Sequence, residues 1–209
     1  MYKCIFVLFL LLPAFNVHAV LISIDWKTVD DNFITQDSDS GLEWLNLLTT
    51  SGRSYSDIST KFGGGEEFEG WRYASQTEVQ ELTRNWGIPT YNRIVGGDPY
   101  DIPSFANYLG NTFGLEGGCA CQGVPSIGVH GIASLDSDLT VLYARYRTDD
   151  NWTETSLRGF LNLSESYMSY DVGSWLVRDS VSVVPLPASV WLFGSGLLGL
   201  AGLARRKKA

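Results

Sequence analysis

Cys119 and Cys121 stand one residue apart, and His130, the sole histidine beyond residue 18, follows them. Thiolates and an imidazole are ligands that zinc or copper takes, but such a site needs more donors than these and none is marked nearby. A local disulfide closing a strained ring is the expectation, with pairing to other molecules as its alternative. Asp37-Ser38-Asp39-Ser40-Gly41 spaces Asp37 and Asp39 as a calcium loop spaces carboxylates. A full loop needs further oxygen ligands, and this run leads straight into Leu42-Glu43-Trp44-Leu45, so a solvated turn without metal is expected. No cofactor is implied.

Hydrolysis of a glycosidic bond needs two acids at a defined separation, and among 23 Asp and Glu no pair is singled out. The chain has no G-x-S-x-G elbow, no H-E-x-x-H helix and no phosphate-cradling glycine loop. A Ser-His triad would hang on His130 without a marked partner. The expectation is a protein that is not an enzyme.

The elements that would carry such residues belong to one domain's worth of chain, 209 residues with 44% hydrophobic and 18% charged. Seven Trp, ten Tyr and ten Phe can fill a core, which excludes a collagenous or disordered chain. All 23 acids lie between residues 20 and 184, against ten cations, so the body carries −13. Phosphate backbones repel such a surface, and nucleic acid is excluded as a partner.

Both ends read as addresses. Lys3, the apolar run 5–12 and Val17-His18-Ala19 form the three parts of a secretory signal over residues 1–19, with Val20 as the mature start. Cys4 precedes the apolar run and leaves with the signal. At the other end, residues 188–204 are uncharged for 17 positions and meet Arg205, Arg206, Lys207 and Lys208 at once. As a helix this stretch spans roughly 25 Å, the low end for a bilayer, and the basic cluster should stay cytoplasmic. Gly194, Gly196, Gly199 and Gly202 would weaken a helix in water, whereas lipid tolerates them.

Val184-Pro185-Leu186-Pro187-Ala188, the apolar stretch and the basic quartet together closely resemble the PEP-CTERM sorting signal over residues 183–208. Leu186 stands where the family name has Glu, as in the VPLPA form. The resemblance implies a Gram-negative exported protein handled by exosortase, a membrane cysteine transpeptidase-like protease, in a cell making extracellular polysaccharide. Pro185, Leu186 and Pro187 would then be recognition residues for that enzyme, and Arg205 to Lys208 the basic tail. An inner-membrane-anchored intermediate would precede a place on the cell surface or in the extracellular matrix.

Residues 20–182 read as a single exported α+β domain with strands early and late and two short helices between. A strand over residues 30–36 turns into 42–45. Ser54 caps a helix presenting Tyr55, Ile58 and Phe62 and ended by Gly63-Gly64-Gly65. Ser75-Gln76-Thr77-Glu78 is a capping box for a second, with Val79, Leu82 and Trp86 on one face. Between them, Trp71 should enter the core and Arg72 should tie to a carboxylate or a carbonyl. Residues 88–131 read as extended loops. Strands are expected at 139–146, 159–163, 166–170 and 174–178, with Arg145, Arg147 and Arg158 balancing surface carboxylates.

Ser40-Gly41-Leu42-Glu43-Trp44, the Tyr55 helix, Gly70-Trp71-Arg72-Tyr73 and the closing Trp175-Leu176-Val177-Arg178 resemble the Lcl C-terminal domain family. The family's usual Leu-Pro after Gly-Trp-Arg is replaced by Tyr73-Ala74. The resemblance implies a C-type-lectin-like fold, and it speaks to fold more than to function, because such folds host sugar binders, protein binders and modules with no known ligand. The function expected is therefore that of a non-enzymatic surface or matrix protein, recognising polysaccharide or surface proteins. The alternatives are a secreted carbohydrate-active hydrolase using paired carboxylates, a permanently membrane-anchored structural protein, and a passive matrix component.

Overall fold

The computed structural model describes residues 21–113, 126–135, 138–148, 151–157 and 163–180. It is a mixed α+β structure, mostly sheet with few helices. In chain order come β1 (Leu21–Ile24), β2 (Ile34–Asp37), β3 (Leu42–Leu45), a 3-10 turn (Leu47–Thr50), α1 (Tyr55–Ser59), β4 (Arg72–Tyr73), α2 (Gln76–Asn85) and β5 (Tyr91–Val95). Then follow α3 (Ile102–Leu109), β6 (Ser126–Leu135), β7 (Asp138–Arg147), β8 (Trp152–Ser156), β9 (Gly173–Ser174) and β10 (Leu176–Asp179). By contact the chain divides into residues 1–179 and 180–209. The anticipated signal, the helix over 188–204, Arg205 to Lys208, Pro185 to Pro187, Cys119 and Cys121 all lie outside the described residues.

Two five-stranded sheets form, ordered β1-β2-β3-β10-β4 and β5-β8-β7-β6-β9. Every pairing is antiparallel except that of β9 with β6. Alternation along the strands feeds two cores. Trp44 and Val177 of the first sheet meet Val129, Leu142 and Ala144 of the second, together with Val79 and Leu82 of α2 and Phe105 and Leu109 of α3. On the opposite faces Ile34, Leu45 and Leu176 meet Ile132 and Val141, joined by Ile58, Phe68, Trp71 and Tyr73. A strand whose neighbours point to opposite faces can serve both cores at once.

The segment from Gly173 to Asp179 stitches the sheets together. It leaves β9, passes through Trp175 and enters the first sheet between β3 and β4 as β10. Trp175 packs edge-on against Trp44, with ring centroids 6.0 Å apart. Its amide donates to the Ile132 carbonyl at 2.8 Å and its carbonyl accepts from the Ala74 amide at 2.8 Å. Backbone must come close here: a Cβ on Gly173 would collide with the Leu47 carbonyl, and one on Gly131 with the Leu47 and Trp175 side chains. The expected closing strand over 174–178 is thus split between the sheets.

Other expectations change too. Residues 88–131 are not all loop: β5, α3 and the start of β6 lie there. Residues 166–170 hold no strand, because Ser164 turns the chain, its carbonyl accepting from the Tyr167 amide at 2.9 Å and its hydroxyl from the Ser166 amide at 3.3 Å. Such local bonds compete with a ladder. The strand expected from residue 30 begins at Ile34, since Asp31 instead accepts from the backbone amides of Trp26, Lys27, Thr28 and Phe33. The helix α1 ends at Ser59, before the glycines, where the Thr60 hydroxyl donates to the Asp57 carbonyl at 2.7 Å. The second helix follows the sequence closely. Ser75 Oγ accepts from the Glu78 amide at 3.2 Å, and Glu78 Oε2 accepts from the Ser75 amide at 2.8 Å.

Candidate functional site

Two places in the body gather groups with chemical potential. The first lies on the face of the second sheet turned away from α2 and α3. His130 of β6 stands directly across from Tyr143 of β7, and Arg145 faces Glu154 of β8 in the next registered pair on that face. The Phe113 ring stacks on the imidazole, with centroids 5.1 Å apart and planes at 8°, while Tyr143 meets it edge-on at 5.5 Å. The Nδ1 atom lies 3.9 Å from Oδ2 of Asp171, and each of the two atoms is buried with no hydrogen-bond partner. The other Asp171 oxygen accepts from the Ser169 hydroxyl. Burial pushes the imidazole down to about 4, Asp171 pulls against this and Arg145 adds to it, so His130 is neutral at physiological pH.

An imidazole beside a carboxylate is the base and orienting acid of a nucleophilic triad. Asp171 is the partner that the sequence left unmarked. Among the described residues, however, no hydroxyl or thiol bonds either ring nitrogen, and 3.9 Å exceeds a hydrogen bond. A metal would find these two donors but no third: no group of three His, Cys, Asp or Glu is gathered among the described residues.

Beside it, the guanidinium groups of Arg93, Arg145 and Arg147 lie 4.6, 5.1 and 5.1 Å from the Trp152 ring. Arg145 also donates to Glu154 at 2.7 Å, as expected of a balancing cation, but with only 18% of its side chain exposed. The rest of its surface covers aromatic rings, which is packing as much as charge balance. Arg158 lies outside the described residues.

The second place is an open cleft of about 580 Å³ lined by Ser23, Trp86, Asp101, Ser104, Asn107 and Tyr108. Asp101, Ser104 and Tyr108 recur at helical spacing on the outward side of α3, while Ile102, Phe105, Ala106 and Leu109 face the core. Asp101 caps that helix in the left-handed region, at φ 52°, and its carboxylate accepts from the Ser104 amide at 3.4 Å. The indole N–H of Trp86 donates to the Tyr100 carbonyl at 3.0 Å, and its ring meets Tyr108 at 5.8 Å. This cleft was missed because residues 88–131 read as loops. The signal was there in Asp101-Ile102-Pro103-Ser104, a cap with proline in the first turn, and in apolar positions spaced three and four apart.

Asp37 and Asp39 do not come together as ligands. Asp37 is fully buried; one of its carboxylate oxygens accepts from the Asp39 amide at 3.0 Å and the other from the Ser40 hydroxyl at 2.7 Å. The turn is therefore built on a buried carboxylate rather than a solvated one, and Asp39 points to solvent. Arg72 grips Glu78 through two bonds of 2.9 and 2.6 Å, and Trp71 is buried as its setting predicts.

Residues 183–208 match the PEP-CTERM protein-sorting motif. No curated protein and no solved structure matches the chain. Among the described residues no helix is long and apolar enough to cross a membrane. The chain thus carries a sorting motif of the kind exosortase processes, implying export with a membrane-anchored intermediate, on a body without a matching relative.

Proposed function

We propose that this chain is an exported, non-enzymatic protein of the cell surface or extracellular matrix, processed by exosortase at its tail and recognising polysaccharide through its body. The sorting motif over residues 183–208 carries the reading. Prolines are disfavoured in a helix interior, so Pro185 and Pro187 suit a junction that a protease must reach before the apolar stretch. The apolar stretch and the cations Arg205 to Lys208 would hold the tail in the inner membrane until the cut. The polar and aromatic lining of the α3 cleft favours recognition over a passive role. Nor does His130 beside Asp171 favour a hydrolase, since among the described residues no hydroxyl or thiol bonds the imidazole.

Mass spectrometry of the mature protein from its own host tests this. A C-terminal peptide ending between Pro185 and Ala188, with or without added mass, is the expected result. A peptide retaining residues 188–208 would make the protein a permanently anchored one and end the sorting reading.

A further inference from the structure

We propose that the cleft on the outward side of α3 is a binding site for a neutral, hydroxyl-rich sugar unit of a polysaccharide chain. This deepens the recognition reading above and rests on it. The cleft offers two half-buried rings, Trp86 and Tyr108, set edge to face at 64°. A sugar ring presents C–H groups on one face and hydroxyls around its rim, and aromatic side chains with an apolar body suit the first of these. The indole N–H is already spent on the Tyr100 carbonyl, so Trp86 offers its carbon surface rather than a donor.

The rim is matched by polar groups that the fold does not use. The Ser23 and Ser104 hydroxyls, the Asn107 amide, the Tyr108 hydroxyl and one oxygen of Asp101 take no hydrogen-bond partner among the described residues, although they line one space. Together they supply hydroxyls that donate or accept, an amide that does both, and a carboxylate that accepts strongly. Asp101 decides the class of ligand. A carboxylate at the mouth of the cleft accepts from vicinal hydroxyls and repels a uronate or sulfated unit, as does the net charge of −13 over residues 20–184. Its left-handed backbone holds that carboxylate at the helix start, a conformation few residues except Asn, Asp and Gly adopt readily.

The test is calorimetric binding of the full-length chain in mild detergent to dextran, a soluble β-glucan, a galactan and a mannan, with polygalacturonate as the anionic control. Asp101→Asn keeps the cap and tolerates the same backbone, and Asn107→Ala lies on an exposed position, so both should fold with unchanged melting temperature. Saturable binding to at least one neutral polymer, weakened about tenfold by each variant, is expected. Undiminished binding by both variants overturns the cleft while the recognition reading stands. Binding to polygalacturonate alone overturns the neutral class. Binding to none of the five removes both the cleft and the recognition of polysaccharide.

Discussion

His130 is the residue whose setting departs furthest from what its neighbours in sequence foretell. Held between Phe113 and Tyr143 with 16% of its side chain exposed, it stays neutral down to about 4, whereas in the unfolded chain it takes a proton near its ordinary value of 6.5. The unfolded state therefore binds the extra proton as pH falls from 6.5 to 4, and stability falls with it, by roughly 3 kcal/mol at most. Denaturant midpoints measured across that window should decline in the natural protein and decline far less in His130→Leu. An equal decline in both would place the acid sensitivity elsewhere. Glu78 acts lower on the scale. Its bonds to Arg72 outweigh the desolvation that opposes them, Ser75 adds its amide and hydroxyl, and the carboxyl is held at about 2. Its contribution is present above the ordinary glutamate value of 4.5 and is lost as pH falls toward 2, so it overlaps the His130 window only at its acid end.

At the scale of elements, α2 shows local sequence acting nearly alone. Ser75 and Glu78 satisfy each other's amides, Val79 and Leu82 face the core, and no distant residue is needed to choose the helix start. Ser75→Ala should cost about 1 kcal/mol by urea denaturation, and a loss below a few tenths would mean that tertiary packing holds the helix without its cap. The helix α3 carries signals of the same kind in Asp101, Pro103 and the apolar spacing, and it is the surrounding Gly- and Asn-rich chain that hides them. The short strands are different. β4 and β9 have two residues each, too few for any period to show, and they exist only because β10 and β6 lie alongside. At 166–170 the aromatic and serine content resembles a strand, yet local serine bonds take the backbone instead.

For the molecule as a whole, the joint at Trp175 ties the last strand to both sheets and both cores. Truncating it by Trp175→Ala removes a buried ring that packs on Trp44 and should cost about 3–5 kcal/mol in a denaturant titration. A loss under about 1 kcal/mol would show that the sheets hold together without that seam. Residue types and their order determined the sorting motif, the acidic body, the capping box of α2, the burial of Trp71 and the grip of Arg72 on Glu78, because each rests on neighbours within a few positions. Tertiary structure alone decided that residues 173–179 serve two sheets, that Asp171 comes to His130 from 41 positions away, and that Ser23 joins Trp86 and α3 around one cleft. Contacts across such separations follow from how the two cores close over the strands, and a linear pattern of hydrophobicity carries no record of which faces will meet.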